Sequence, residues 1–99
     1  MTTYVLIKLC RISYTQIGVV FEMLDAEVVG RVIQRFRESK GLSQEVVSGL
    51  ADIGRTHLSA IERGERKPTL ETFFRIADAL QVKASDIMAA IEKEMNSDK

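Results

Sequence analysis

Gly41, Gly54 and Gly64 divide the middle of this 99-residue chain into pieces so short that the two stretches between them can hold only helices of about two turns. The second stretch, RTHLSAIER from Arg55 to Arg63, is the more restrictive. Its strong apolar anchors are Leu58 and Ile61, three apart, and the remaining positions are mostly Arg, Thr, His, Ser and Glu. A helix of that pattern is pinned along one edge, and its opposite edge either meets solvent or touches something.

The flanking residues supply the rest of an all-helical scaffold. Val29, Ile33 and Phe36 fall three or four apart, on one face of a helix that starts at Ala26 and ends near Gly41, a residue suited to a left-handed stop. Ser43 suits an N-cap for the next helix, with Glu45 in its first turn and Val46, Val47 and Leu50 as apolar contacts up to Ala51. Asp52, Ile53 and Gly54 make a tight connection, because Asp and Gly tolerate positive φ. After Gly64 and Pro68, Thr69 caps a fourth helix, with Leu70, Phe73, Ile76, Ala77 and Leu80 on one side. Ser85 is read as the cap of a last helix through about Met95, with Asp86 near its positive end.

These readings define an all-α domain of five helices over residues 25–95, with a frayed tail at 96–99. Residues 1–24 are different. Thr2 to Phe21 are rich in Tyr, Val, Ile and Thr, types that suit a pleated surface, with ragged alternation. Three readings stay open: a strand or hairpin added to the domain, with pairing across a dimer as one form of it, a frayed arm, or translated sequence upstream of a natural start at Met23. Lys8 and Arg11 interrupt the apolar run, which argues against a signal peptide and against a membrane span.

Composition excludes several function classes. With 45% hydrophobic and 28% charged residues the chain can build a core and is not generally disordered. Its formal net charge is zero, so no overall field draws it to nucleic acid or to an anionic membrane. The distribution is uneven, however: Arg31 to Lys67 holds 8 Lys and Arg against 5 Asp and Glu, and the excess surrounds the RTHLSAIER helix. One cysteine, Cys10, and one histidine, His57, give no internal disulfide and no metal-ligand cluster, which fits a reduced, cytoplasmic setting. Neither a nucleophile with a partnered base nor a phosphate-cradling glycine loop is evident, so no enzymatic activity and no cofactor are expected.

Two short helices joined by a turn of about three residues, the second polar on its outer edge, describe a helix-turn-helix. From about Val29 to Leu80 the chain resembles the Cro and phage-repressor type helix-turn-helix domains, also called the xenobiotic response element family. The segments SQEVV, GRTHLSAIERGERKPTLET and RIADAL carry the resemblance. RTHLSAIERGER is also similar to the small controller proteins of restriction and modification systems.

The resemblance implies a repressor-like domain whose recognition helix, at about 55–63, enters the major groove of double-stranded DNA while Leu58 and Ile61 stay packed. Arg55, Thr56 and Ser59, and marginally Ala60, then face base edges. Arg can bond guanine O6 and N7 together, and Thr can offer a hydroxyl or meet a thymine methyl. Ala60 departs from the family, which often has a longer polar side chain there. Gln44, with the dipole of its helix, is matched to a backbone phosphate, and His57, Arg63, Arg66 and Lys67 complete a clamp. A carboxylate near DNA repels phosphate, and the resemblance implies an internal role for Glu62, paired with Arg37 of the first helix.

One recognition helix reads about four base pairs, too few for useful specificity, so a homodimer on a palindromic operator is expected. Ile87, Met88, Ile91 and Met95 form the candidate apolar interface, with the N-terminal segment as a second candidate. The function read here is a sequence-specific transcriptional regulator that represses by occluding a promoter. The alternative is an antitoxin-type module that holds a toxin or co-regulator as well as DNA.

Overall fold

The computed structural model describes residues 23–97, and the expectations for the N-terminal segment up to residue 22 lie outside the described residues. Five helices follow one another: α1 (Ala26–Ser39), α2 (Gln44–Ala51), α3 (Arg55–Glu62), α4 (Leu70–Ala79) and α5 (Ala84–Ser97). No strand occurs among the described residues.

Local chemistry sets where the helices start. The Asp25 carboxylate accepts from Glu27 N at 2.9 Å, Ser43 Oγ from Val46 N at 3.1 Å, and Thr69 Oγ1 from Thr72 N at 3.1 Å. Each satisfies an amide that the first turn leaves unpaired, and Glu27, Glu45 and Glu71 add negative charge beside those positive helix ends. Ser85 does not cap α5. That helix begins one residue earlier, at Ala84, with Lys83 O accepting from Asp86 N at 3.0 Å, and it runs through Ser97, beyond the end expected near Met95.

The first four helices end by one device. The N–H of the residue beyond a left-handed position reaches back five residues: Leu42 N to Arg37 O (3.3 Å), Ile53 N to Ser48 O (3.0 Å), Glu65 N to Ala60 O (2.9 Å) and Val82 N to Ala77 O (3.1 Å). The left-handed residues are Gly41, Asp52, Gly64 and Gln81, with φ of 71°, 58°, 81° and 61°. Leu42, Ile53 and Val82 then fold down against the core. At the third stop the corresponding residue is the exposed Glu65.

The core lies where α1 packs on α3 and α5 and where α2 packs on α3 and α4. Val28, Val29, Val32 and Ile33 of α1 meet Leu58 and Ile61 of α3 and Ile87 and Ile91 of α5, while Val47 and Ala51 of α2 join Phe73, Ile76 and Ala77 of α4. Gly30 sits where α1 crosses the C-terminal half of α3, and a Cβ on it would lie 2.2 Å from Ile61 O and 2.6 Å from Glu62 O. The two backbones are therefore in direct contact. At the other side of α1, the Glu94 carboxylate of α5 accepts from Arg31 Nε at 2.8 Å and pairs with Arg35 Nη1 at 2.8 Å, tying the first helix to the last.

Three apolar positions read as core contacts are not. Leu70 is 73% exposed, Leu50 65% and Val46 46%, whereas their neighbours Phe73 and Val47 are buried. In helices of eight and ten residues the apolar arc is wide enough to admit either neighbour, and tertiary packing chose Val47 and Phe73.

Candidate nucleic-acid interface

The edge opposite the core on α3 is open at its N-terminal end. Leu58 and Ile61 have no exposed surface, while the side chains of Arg55 and Thr56 stand in solvent and His57 and Ser59 are half-buried. Gly54 caps the helix without a side chain, so nothing bulky overhangs the first turn. Ala60, expected to face bases marginally, is instead buried at 9% exposure, on the packed side with Ile61.

Glu62 fixes the position of this helix. Its carboxylate accepts from Arg37 Nε at 2.7 Å and Nη2 at 2.9 Å, and from Gln44 Nε2 at 2.8 Å. The remaining Arg37 nitrogen, Nη1, donates to Leu42 O at 2.8 Å. The pair is well sheltered, with 11% of the Arg37 side chain and 2% of the Glu62 side chain exposed. Hydrogen bonding to Glu62 is the main reason the Arg37 guanidinium holds its proton more tightly than usual, against the opposing cost of burial. One buried carboxylate thus joins α3 to the end of α1 and the start of α2.

Gln44 is therefore not wholly free for a phosphate. One amide hydrogen serves Glu62, and the second remains for an external acceptor. Ser43, Gln44, Glu45, Arg37 and Arg55 line an open polar recess of about 370 Å³ between α2 and the start of α3.

The basic residues after α3 differ in their engagements. Arg63 donates through Nε and Nη2 to Glu65, at 2.8 and 3.1 Å, and through Nη1 to the Ser59 hydroxyl. Lys67 Nζ donates to Leu24 O at 3.3 Å, and the Arg66 side chain stands exposed.

The stripe proposed for dimerisation divides in two. Ile87 and Ile91, at 0% and 1% exposure, belong to the protomer's own core because α5 packs them against α1 and α4, so they cannot meet a partner. Met88 and Met95 are half-buried. Beside Met88 lies an apolar groove of about 510 Å³, formed with Leu70, Phe73, Phe74, Ala84, Ser85 and Lys83, and flanked by the protruding Leu70 and Phe74 (73% and 62% exposed). Leu70 and Phe74 were missed as surface residues. Their spacing of four marks a second apolar edge on α4, adjacent to the buried one.

Five helices in this order, with a short polar helix held by its inner edge behind a three-residue connection, define a helix-turn-helix protein. The helix-turn-helix family HTH_3 matches residues 33–87, and the chain belongs to this Cro/C1-type family. It is 34% identical over 67 residues to the uncharacterized HTH-type transcriptional regulator y4dJ of Sinorhizobium fredii, covering 68% of this chain and 87% of that one. It is 35% identical over 66 residues to the control protein C.MunI of a Mycoplasma species, covering 66% and 89%. Among solved structures it is similar to the restriction-modification controller protein C.Esp1396I, a tetramer in complex with its natural 35 base-pair operator, at a TM-score of 0.68 and 30% identity over 75% of this chain and 97% of that one.

Among the described residues no helix is long and apolar enough to cross a membrane, and no cluster of His, Cys, Asp and Glu fit to hold a metal ion occurs.

Proposed function

We propose that this protein is a sequence-specific regulator of transcription that binds a palindromic operator as a homodimer and represses by occluding a promoter. The observation that carries the reading is the division of α3 into a buried edge, Leu58, Ile61 and Glu62, and a free edge beginning at Arg55 and Thr56. Arg55 and Thr56 read base edges. Ser59 and His57 flank them, and Gln44, Arg63, Arg66 and Lys67 contact phosphates. Restriction-modification controllers among the relatives support this reading, one of them as a tetramer on its operator.

The dimer contact in this reading moves from the core isoleucines to the groove of Leu70, Phe73, Phe74 and Met88. That face carries both a hollow and two protruding apolar side chains, as a twofold self-contact requires. Met95 lies further along α5.

Selection of bound duplexes from a random pool tests the proposal. A palindrome with half-sites about one helical turn apart is expected. Arg55→Ala is expected to lower affinity for that duplex by about 1–3 kcal/mol while relaxing the preference at one base pair of each half-site. Failure to enrich any sequence, or an Arg55→Ala variant with unchanged preference, would refute it.

A further inference from the structure

The four helix stops described above place a residue of the same geometric role at Leu42, Ile53, Glu65 and Val82, and three of the four are apolar side chains folded onto the core. Glu65 alone is a carboxylate on the surface. It uses both oxygens to hold Arg63, at 2.8 Å from Nε and 3.1 Å from Nη2, and the third nitrogen of that guanidinium is taken by Ser59. A guanidinium gripped through two parallel bonds is in the geometry with which it would bind a phosphate. From this arrangement we infer that Glu65 is an internal competitor for the DNA backbone: it occupies the phosphate-binding fork of Arg63 and so weakens binding to non-operator DNA.

This inference rests on the operator reading above. Arg63 follows the recognition helix directly and opens the basic segment RGERK, so its guanidinium is among the charges a duplex would meet there. Each cation that engages a phosphate adds to affinity regardless of sequence. Glu65 and Ser59 take three of the five guanidinium N–H groups, so the Nε–Nη2 fork of Arg63 reaches a phosphate only by leaving Glu65. At a non-cognate sequence few other contacts offset that exchange, whereas at the operator the base contacts of Arg55 and Thr56 bring the backbone close enough to displace the carboxylate. The consequence is a higher ratio of specific to non-specific binding. The pair is half exposed, at 53% and 59% of the two side chains, so the exchange is a modest one.

The test uses the full chain, the duplex selected by the wild-type protein and a scrambled duplex of equal length, with affinity measured by fluorescence anisotropy over a range of salt. Glu65→Gln is expected to tighten binding to the scrambled duplex ~two- to fivefold at low salt, and to the selected duplex less. The salt slope on the scrambled duplex should steepen by about 0.9, one further phosphate contact. The same substitution made in an Arg63→Gln background separates competition from simple repulsion between Glu65 and phosphate. Under competition the gain and the extra slope vanish in that background. A gain of equal size with and without Arg63, or no gain at all, overturns the inference while leaving the operator reading intact. If the wild-type protein retains no duplex, the operator reading fails and this one falls with it. Circular dichroism of all three variants, the two single substitutions and the double, checks that the fold is kept.

Discussion

Replacing Gly30 by Ala probes the contact on which the setting of α3 depends. A methyl group at this position would lie 2.2 Å from Ile61 O, 2.6 Å from Glu62 O and 2.9 Å from Glu62 C, all backbone atoms, whereas ordinary contact begins near 3.4 Å. The two helices must part by roughly 1 Å, and no side-chain rotation can absorb that displacement. Overpacking of this kind costs about 1–3 kcal/mol, and contact with rigid backbone puts it at the upper end. Intrinsic helix propensity works the other way, favouring Ala over Gly by about 1 kcal/mol. The expected net loss is about 2 kcal/mol, or a fall in melting temperature of roughly 10 °C for a domain of this size. Gly49 provides the control, since it lies in helix α2 with nothing within 4 Å of its virtual Cβ. Gly49→Ala should gain up to about 1 kcal/mol, because only the propensity difference acts. Urea denaturation followed by circular dichroism measures both, through midpoint shifts at constant slope. If the two variants shift the midpoint in the same direction, the close approach of α1 and α3 is not what it is argued to be.

The remaining predictions concern charge and assembly. Glu62→Ala leaves Arg37 buried without its partner, and a loss of about 3–5 kcal/mol is expected in the same denaturation assay; an unchanged midpoint would refute the anchoring role. Phe74→Glu places a charge on the apolar groove and should convert the proposed dimer to a monomer in sedimentation equilibrium, whereas Glu92→Lys on exposed α5 surface should not. Hydrogen bonding from Arg31, aided by Arg35, holds the Glu94 carboxyl below the usual carboxylate range. Its stabilising contribution is therefore complete above the unfolded-state pKa of about 4.3 and fades as pH falls through the lower folded value, so Glu94→Gln should flatten the stability profile in acid.

What could be read in advance was what depends on near neighbours along the chain. Ser43 and Thr69 cap because a hydroxyl three residues before an amide reaches it, and Gly41 and Gly64 stop helices because they tolerate positive φ. Leu58 and Ile61 were legible for the same reason, as the only strong apolar pair in their segment. The Arg37–Glu62 pair spans 25 positions, and it came from family resemblance, since nothing local predicts it. Ile87 and Ile91 were drawn with Met88 and Met95 because one helical stripe serves equally for a protomer's own core or for a partner. Only the packing of α5 on α1 and α4 separates them. Glu65 carries no signal of its own in the sequence, because its bidentate hold on Arg63 depends on how the chain leaves α3.

Under the proposed operator binding, the eight residues of α3 keep adhesion and vocabulary on separate sides of a single rod. Leu58, Ile61 and Glu62 attach it to the body, and Arg55, Thr56 and Ser59 make no comparable contribution to that attachment. Exchanging these three for other polar residues should thus leave folding nearly untouched while rewriting the preferred target. Such a molecule can drift toward new promoters one substitution at a time, without first having to be rescued from instability.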